Sequence, residues 1–498
     1  MRFSFKIASI AFAISFVLIS FCSKGPKNQS EETILAKVGD KTISLSEYEY
    51  RAELIPRPPN FKDKDVTLTN LIAEKLVALD AGKDNELLKK PTFQAYIQGI
   101  KEQAMREQLF YLEAQNKVVI DSTEKIRAYD ASRYEYKVAF YTILNDETAD
   151  RLKEQLASCD SSKRAEVFDT IGKGEKVPVH EVKFKDPDHD YIHDALFSRP
   201  VKVGEVLGPI KLDANHQIIM KVEDWTMHPV IGVEDFQLRM KDVDNKLREK
   251  KANKLWKNFV ANVMKGKKID FVNDTFLKMA ELSFSNFLKS QQENPEETLD
   301  QKNPDQEKNM FSIQDLRDDS ALLDYPFFSI DDKVWTVRDF KKALASHPLV
   351  YRNTKFRGKE DYFDQFKYAI ADMVRDHYLN EEAYDRHLDK HNSVKRRVSM
   401  WEDASVAHYQ VDEYIQKVSE RPDFDKRRLK GSNNYLVVYV DSLADVYQDQ
   451  IQVNRDLLKD ISLTKTDMMA LQVNVPYPVV VPAFPQYLVR KDLKKQTN

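Results

Sequence analysis

The chain has little cysteine, little glycine and no excess of charge of either sign. Its 498 residues include two cysteines and 12 glycines. So little glycine argues against a barrel or sandwich with many tight turns and favours a helix-rich architecture. A net charge of −3 provides no basic excess for binding nucleic acid. GKGEK at 172–176 lacks the spacing and the Ser or Thr of a Walker loop, so neither a nucleotide nor another cofactor is expected.

Long apolar runs are also missing, apart from one near the N-terminus. Residues 7–21 carry no charge. This run is shorter than the ~20 residues of a membrane-spanning helix, and its length is typical of a signal peptide. The run ends at Cys22 and resembles a bacterial lipobox, although Phe21 stands where the usual pattern has Gly, Ala or Ser. The resemblance implies that residues 1–21 are removed and that Cys22 is lipidated, with 22–32 as a tether. An ordinary signal peptide or an uncleaved anchor is the alternative.

Two further clusters could carry chemistry. If Cys22 is acylated, only Cys159 remains, and no intramolecular disulfide is possible. Cys159 follows a predicted helix and is expected to be inert and partly buried. In HDYIHD, His189 and His193 are four residues apart, as on one face of a zinc-binding helix. Because Pro187 lies just upstream and no third ligand is indicated, we expect a solvated polar loop and no metal site.

The pattern of apolar residues predicts a mainly α protein with one small α+β unit. The latter begins with the strand YKVAFYTIL and closes with ALFSRPVKVGEVLGPIKL and HQIIMKVEDW. The predicted segments are a helical domain (33–134), the α+β unit (135–228), a long helix and strand (229–289), a polar linker (290–309), a second helical lobe (310–475) and a Pro-rich tail (476–498). Four prolines prevent the tail from forming a helix or a central strand. We expect it to lie extended in an apolar groove or to serve as a docking arm.

The opening of the first helical domain recurs in the second lobe. IDDKVWTVRDF at 330–340 aligns with VGDKTISLSEY at 38–48, at a constant offset of 292. Ser44 with Glu47 predicts a helix-capping box, and Thr336 with Asp339 repeats it. The endings match as well, since KIDFVNDTFLKMA (268–280) parallels QIQVNRDLLKDI (450–461). We therefore expect one helical fold used twice, with 229–289 completing the first lobe.

Three segments carry a family resemblance. AKVGDKTISLSEYEYRAE, STEKIRAYD and ALFSRPVKVGEVLGPIKL with IIMKVED are similar to the SurA/PrsA/PpiD group of exported foldases. That group joins a SurA-N-like helical chaperone domain to a parvulin-type prolyl isomerase. The resemblance implies a helical chaperone-type fold present twice and a parvulin-like fold for 135–228.

Rotation about an X–Pro bond faces a barrier of roughly 20 kcal/mol. A parvulin accelerates this rotation by means of an apolar pocket beside paired histidines. The resemblance puts Tyr141 or Thr142 at the first histidine position and Gln217 or Ile218 at the second. The pocket phenylalanine position falls on Ile192. The residues of a degenerate pocket are then Tyr141, Thr142, Ile192, Phe197 and Ile219. On this interpretation, residues 135–228 retain the parvulin scaffold but have lost the isomerase chemistry.

These observations lead to one main hypothesis and two alternatives. The main hypothesis is a periplasmic foldase-type chaperone, ATP-independent and held by a lipid anchor, that binds unfolded exported or outer-membrane proteins. Ser23, not Asp, follows Cys22, which favours the outer over the inner membrane. One alternative is an active prolyl isomerase with a rebuilt site. The other is a structural or assembly lipoprotein with one fixed partner.

Overall fold

The chain folds into two compact units. Among the described residues, the first comprises those within Cys22–Leu109 and Lys267–Asn498 together with Phe3–Phe5, and the second those within Phe110–Gly266. A computed structural model describes residues 3–6, 32–54, 64–143, 146–171, 177–186, 189–212, 217–293, 321–352, 356, 358–429, 434–463 and 475–485.

Several sequence predictions concern residues outside this described part. They are the apolar run 7–21, the lipidation site Cys22, most of the tether, GKGEK at 172–176 and nearly all of the linker 290–309. Within the described part, none of the helices combines the length and the apolar character needed to cross a membrane.

Helices account for most of the described chain. They are α1 (Leu45–Leu54), α2 (Lys64–Ala81), α3 (Glu86–Lys89), α4 (Pro91–Glu113), α5 (Ser122–Ala131), α6 (Asp146–Ala157), α7 (Ser161–Ile171), α8 (Asp190–Phe197), α9 (Gly232–Val263), α10 (Asn273–Glu293), α11 (Val337–Ser346), α12 (Lys359–Asp385), α13 (Asn392–Ser419), α14 (Tyr435–Val446) and α15 (Arg455–Asp460). The strands are β1 (Phe3–Lys6), β2 (Ile34–Val38), β3 (Lys41–Ser44), β4 (Tyr134–Ile143), β5 (Val179–Lys183), β6 (Val206–Lys211), β7 (Gln217–Met227), β8 (Lys268–Phe271), β9 (Pro326–Ile330), β10 (Lys333–Thr336) and β11 (Ile451–Val453). The prediction of a mainly α protein with a small α+β unit is confirmed.

The repeated sequence produces repeated structure. The hairpin β2–β3 with α1 and the hairpin β9–β10 with α11 begin and end at positions that all differ by 292. At the second helix the capping box forms in full, since Thr336 and Asp339 satisfy each other's backbone N–H. At the first, the Glu47 N–H donates to Ser44 Oγ (3.1 Å), but the Glu47 carboxylate pairs with Lys75 Nζ at 2.9 Å. The same position thus caps one helix and holds a buried cation in the other copy.

Each hairpin pairs with a third strand, and these two strands are the reverse of those that we expected from sequence order. Strand β8 pairs antiparallel with β9, through Asp270 opposite Ser329, so it belongs to the second hairpin. The first hairpin is closed by β11, which pairs with β2 through Gln452 opposite Lys37. The prediction that the strand within 229–289 completes the first lobe is therefore wrong. Because β8 and β11 have similar patterns and either fits a free hairpin edge, sequence alone could not choose between them.

The lobe built on the first hairpin, which we continue to call the first lobe, has a core formed by early and late parts of the chain. Helices α2, α13 and α14 pack on the sheet β11–β2–β3, around fully buried side chains such as Val38, Leu76 and Val437. Buried charges cross the same contact. Lys75 lies between Glu47 and Asp403, and Asp403 also accepts from Lys41 at 2.5 Å. Burial opposes ionisation of Asp403, but the two lysines lower its pKa below the ordinary value.

The second lobe uses the sheet β1–β8–β9–β10. Aromatic side chains pack on this sheet. Phe327 and Phe340 are fully buried with ring centroids 4.9 Å apart, and Phe271 contacts Phe328 edge to face at 5.8 Å between centroids. The turn of its hairpin places Asp331 and Asp332 at positive φ, as a tight two-residue turn requires. If residues 1–21 are removed as predicted, the mature sheet keeps three strands.

Candidate functional site

The second unit is built around the four-stranded antiparallel sheet β5–β4–β7–β6. Helices α6 and α7 cover one face, where Leu156 and Phe168 are buried against Ala139. Helices α5, α8 and α9 cover the other face, where Leu196 and Val243 are buried against Val138. Alternate residues of β4 therefore enter two separate cores, as the two-residue period of a strand requires.

Two of the predicted pocket residues meet on the first of these faces. Tyr141 lies opposite Ile219 in the β4–β7 ladder. The Tyr141 ring lies 5.0 Å from that of Phe168, and Ile219 is fully buried in the same cluster. The Tyr141 hydroxyl is buried and has no hydrogen-bond partner among the described residues.

The other predicted residues lie elsewhere. Phe197 is buried on the opposite face, with its ring 5.3 Å from that of Tyr136, and Ile192 packs at the edge of the same cluster. Thr142 is exposed. The sheet thus separates Tyr141 and Ile219 from Ile192 and Phe197, and the five residues do not surround one pocket.

The HDYIHD segment forms a helix, and our expectation of a solvated loop is wrong. His189 caps α8 by accepting from the Tyr191 N–H through Nδ1 at 3.3 Å. His193 is only 4% exposed, and its Nε2 lies 3.1 Å from the Phe184 carbonyl oxygen. Burial, together with the charges of Lys250 and Lys246, lowers the pKa of His193 to about 4. An apolar face of Ile192, Leu196 and Phe197 outweighs the polar half of this segment.

In the described part of the chain, no group of His, Cys, Asp and Glu brings three ligands together for a metal ion. Cys159 is half-buried just after α6, where its carbonyl oxygen accepts from Arg164 Nε at 3.1 Å.

An exposed apolar surface lies where β7 leads into α9. Its exposed apolar side chains, between 41% and 81% exposed, are Trp225, Met227, Ile231, Val233, Phe236 and Leu238. We call the part formed by Trp225, Met227 and Phe236 the aromatic patch. Three residues at the α5–β4 junction each contact one member of the patch. The Tyr129 ring lies 5.2 Å from Phe236, Arg133 Nη2 lies 3.4 Å from Met227 Sδ, and the Tyr134 ring lies 5.3 Å from Trp225.

Sequence reasoning missed this patch. DWTMHPVIGVEDFQL spans the end of a strand and the start of a helix, so its apolar residues follow neither period. An apolar stretch without a period across an element boundary is the signal that could have indicated an uncovered surface.

No protein-family model matches the chain. No curated protein matches it either. Among solved structures, the foldase protein PrsA from Streptococcus pneumoniae is similar at 11% sequence identity, over 43% of this chain and 87% of that chain, with a TM-score of 0.18. This is a weak structural similarity to a foldase, and by itself it assigns no activity.

Proposed function

We propose that the chain is an extracytoplasmic, foldase-type chaperone that binds unfolded exported or outer-membrane polypeptides without ATP. The aromatic patch carries this proposal. Exposed apolar surfaces of this kind mark interaction sites on soluble proteins. Trp225 and Phe236 offer rigid rings, and the flexible thioether of Met227 adapts to different apolar side chains. Such a surface suits clients that share apolar character and no common sequence.

The location is part of the proposal. Export through residues 1–21 and lipidation at Cys22 would hold the protein at the periplasmic face of a membrane, with Ser23 favouring the outer one. A multi-chain lipid anchor retains a protein where one short acyl chain does not. Cys22→Ser should abolish incorporation of a palmitate analogue and release the protein from the membrane fraction. Retention of label in this variant would refute the anchor.

The α+β unit is proposed to act as a binding module. The separation of Tyr141 and Ile219 from Ile192 and Phe197 supports this view, because an isomerase needs one pocket for the proline ring. The unit should leave the isomerisation rate of proline-containing test peptides unchanged across varied preceding residues. Acceleration would instead favour a rebuilt isomerase site.

The decisive experiment measures suppression of aggregation of an unfolded outer-membrane barrel protein. We expect the double variant Trp225→Ser/Phe236→Ser to need about tenfold more protein for half-maximal protection, since truncating central aromatic contacts typically costs at least 1–2 kcal/mol. Tyr191→Ser/Val203→Ser is the matched control, because these side chains are 47% and 56% exposed in the same unit and lie outside the patch.

Equal protection by wild type and patch variant would remove the patch as the client surface. Absence of protection by the wild-type protein would refute the chaperone proposal. Crosslinking in cells distinguishes the scaffold alternative, because one stoichiometric partner in place of many clients would favour it.

A further inference from the structure

The Pro-rich segment 475–485 lies against three helices of the first unit. Its buried side chains are Tyr477, Val481 and Phe484, which are 3%, 1% and 5% exposed. The Tyr477 ring lies 5.2 Å from that of Tyr96 on α4, and Val481 joins the cluster around Trp401 of α13. We call the surface formed by α1, α4 and α13 the tail groove.

Side chains of the groove bind the main chain of the segment. Gln103 accepts from the Tyr477 N–H at 3.0 Å and donates to the Tyr477 carbonyl at 3.1 Å. Arg397 donates to the Val479 carbonyl at 3.1 Å, and Tyr50 donates to the same oxygen. Arg51 donates to the carbonyl of Pro482 at 3.1 Å. These groups belong to any polypeptide backbone, so this part of the recognition does not depend on sequence.

Two arginine donors of the groove are held in place by acidic side chains. Arg51 forms two hydrogen bonds with Glu74, at 3.1 and 2.8 Å, and both side chains are almost fully buried. Arg397 pairs with Glu107 at 3.2 Å and lies 4.7 Å above the Tyr50 ring. Donors fixed in this way lose little conformational freedom when they bind a peptide.

A glycine makes room in the groove for the Tyr477 ring. Gly99 lies in the interior of α4, where glycine is unfavourable by roughly 1 kcal/mol relative to alanine. A Cβ at this position would overlap the ring and hydroxyl of Tyr477. The helix therefore contains its glycine at the position that the aromatic side chain of the segment occupies.

We propose that the tail groove is a binding site for extended, uncharged segments of other polypeptides, with residues 475–485 as its resident competitor. The preferred partner segment carries an aromatic residue, a β-branched residue four positions later and a second aromatic three positions after that, with prolines between them. Prolines suit the site because side chains supply the hydrogen bonds and no strand ladder is needed. Leaving the groove costs the segment no helix or strand, since it forms neither.

The test uses the full chain and a fluorescein-labelled peptide of sequence VPYPVVVPAFP, followed by fluorescence polarisation. In the wild-type protein the attached segment competes at high effective concentration, so peptide binding should be weak. The double variant Tyr477→Ala/Phe484→Ala should bind the peptide at least about tenfold more tightly. Adding Gly99→Ala to this variant should remove the gain, whereas Gly358→Ala, where a Cβ meets nothing within 4 Å, should preserve it.

Circular dichroism establishes that each variant is folded. A folded double variant that binds no better than wild type would overturn the proposal. Equal binding of a peptide with alanine at both aromatic positions, or insensitivity to Gly99→Ala, would also overturn it. Light scattering measures the oligomeric state. A concentration-dependent dimer that does not bind the peptide would overturn the proposal and assign the groove to the tail of a second copy. The Trp225→Ser/Phe236→Ser variant should bind the peptide as the wild-type protein does. Failure of this proposal can therefore be distinguished from failure of the patch proposal.

Discussion

Lys75 Nζ lies 2.8 Å from Oδ2 of Asp403, although 328 positions separate the two residues in the chain. The Lys75 side chain has no exposed surface, and that of Asp403 is 6% exposed. Lys75 also contacts Glu47 at 2.9 Å, and its neighbouring acids raise the pKa of its ammonium group in spite of burial. One buried cation thus connects α1 and α2, near the start of the chain, with α13 near its end.

Removing this cation should strongly destabilise the first unit. We expect Lys75→Met to lower the free energy of unfolding in urea by about 3–5 kcal/mol, because Glu47 and Asp403 would remain buried with less compensating charge. The matched control is Lys83→Met. The Lys83 side chain is 93% exposed and pairs with exposed Asp40, so its loss should cost no more than about 0.5 kcal/mol. Similar values for the two variants would contradict a structural role for the buried pairing.

The exchange of closing strands makes a prediction for hydrogen exchange. Val453 of β11 and Ile269 of β8 are 3% and 1% exposed, and truncating such side chains typically costs about 1–4 kcal/mol. Val453→Ala should therefore speed amide exchange in 34–44, and Ile269→Ala should speed it in 326–336. The two variants serve as controls for each other. The opposite assignment, with Ile269→Ala affecting 34–44, would restore the pairing expected from sequence order.

Stability of the second unit should depend on pH through His193. Burial lowers the pKa of His193 from its ordinary value of 6.5 to about 4, so the folded state binds fewer protons than the unfolded state. Its contribution is fully present above pH 6.5 and is lost as the pH falls towards 4. At about pH 5 the loss amounts to about 2 kcal/mol.

A substitution isolates this effect. His193→Phe keeps ring contacts with Phe184 and Phe197, at 4.7 and 4.9 Å in the wild type, and removes the titrating group. The difference in unfolding free energy between neutral pH and about pH 5 should therefore shrink. His228→Phe, at a half-exposed site beside Glu135, is the control because it makes the same substitution at another histidine of this unit. An unchanged slope for His193→Phe would show that another group causes the acid sensitivity.

The Tyr141 hydroxyl should contribute nothing to stability. Its oxygen is buried without a partner among the described residues, and an unsatisfied buried hydroxyl is unfavourable. Tyr141→Phe should be neutral or should stabilise the protein by up to about 1 kcal/mol in thermal unfolding. Tyr136→Phe provides a comparison on the opposite face of β4. Clear destabilisation by Tyr141→Phe would reveal a polar partner for the hydroxyl.

The local structure of the repeated hairpins could be predicted from the sequence, but the arrangement of the candidate site could not. Thr336 and Asp339 predicted a capping box that forms, because this interaction spans only one helical turn. Tyr141 and Phe197 were expected to share a pocket, but their separation depends on which face of the sheet each helix covers. His193 became buried because its helix packs against α9, with Leu196 and Val243 in one core.

The sequence by itself determined the mainly helical class, the small α+β unit and the repeat of a hairpin and helix at a fixed offset. These features follow from periodicity, turn residues and capping, which act between neighbouring residues. The tertiary structure alone decided that β11 closes the first hairpin and β8 the second. Both strands offer the same backbone hydrogen-bonding groups, so their partners are selected by packing and charge contacts such as Lys75–Asp403 between distant parts of the chain.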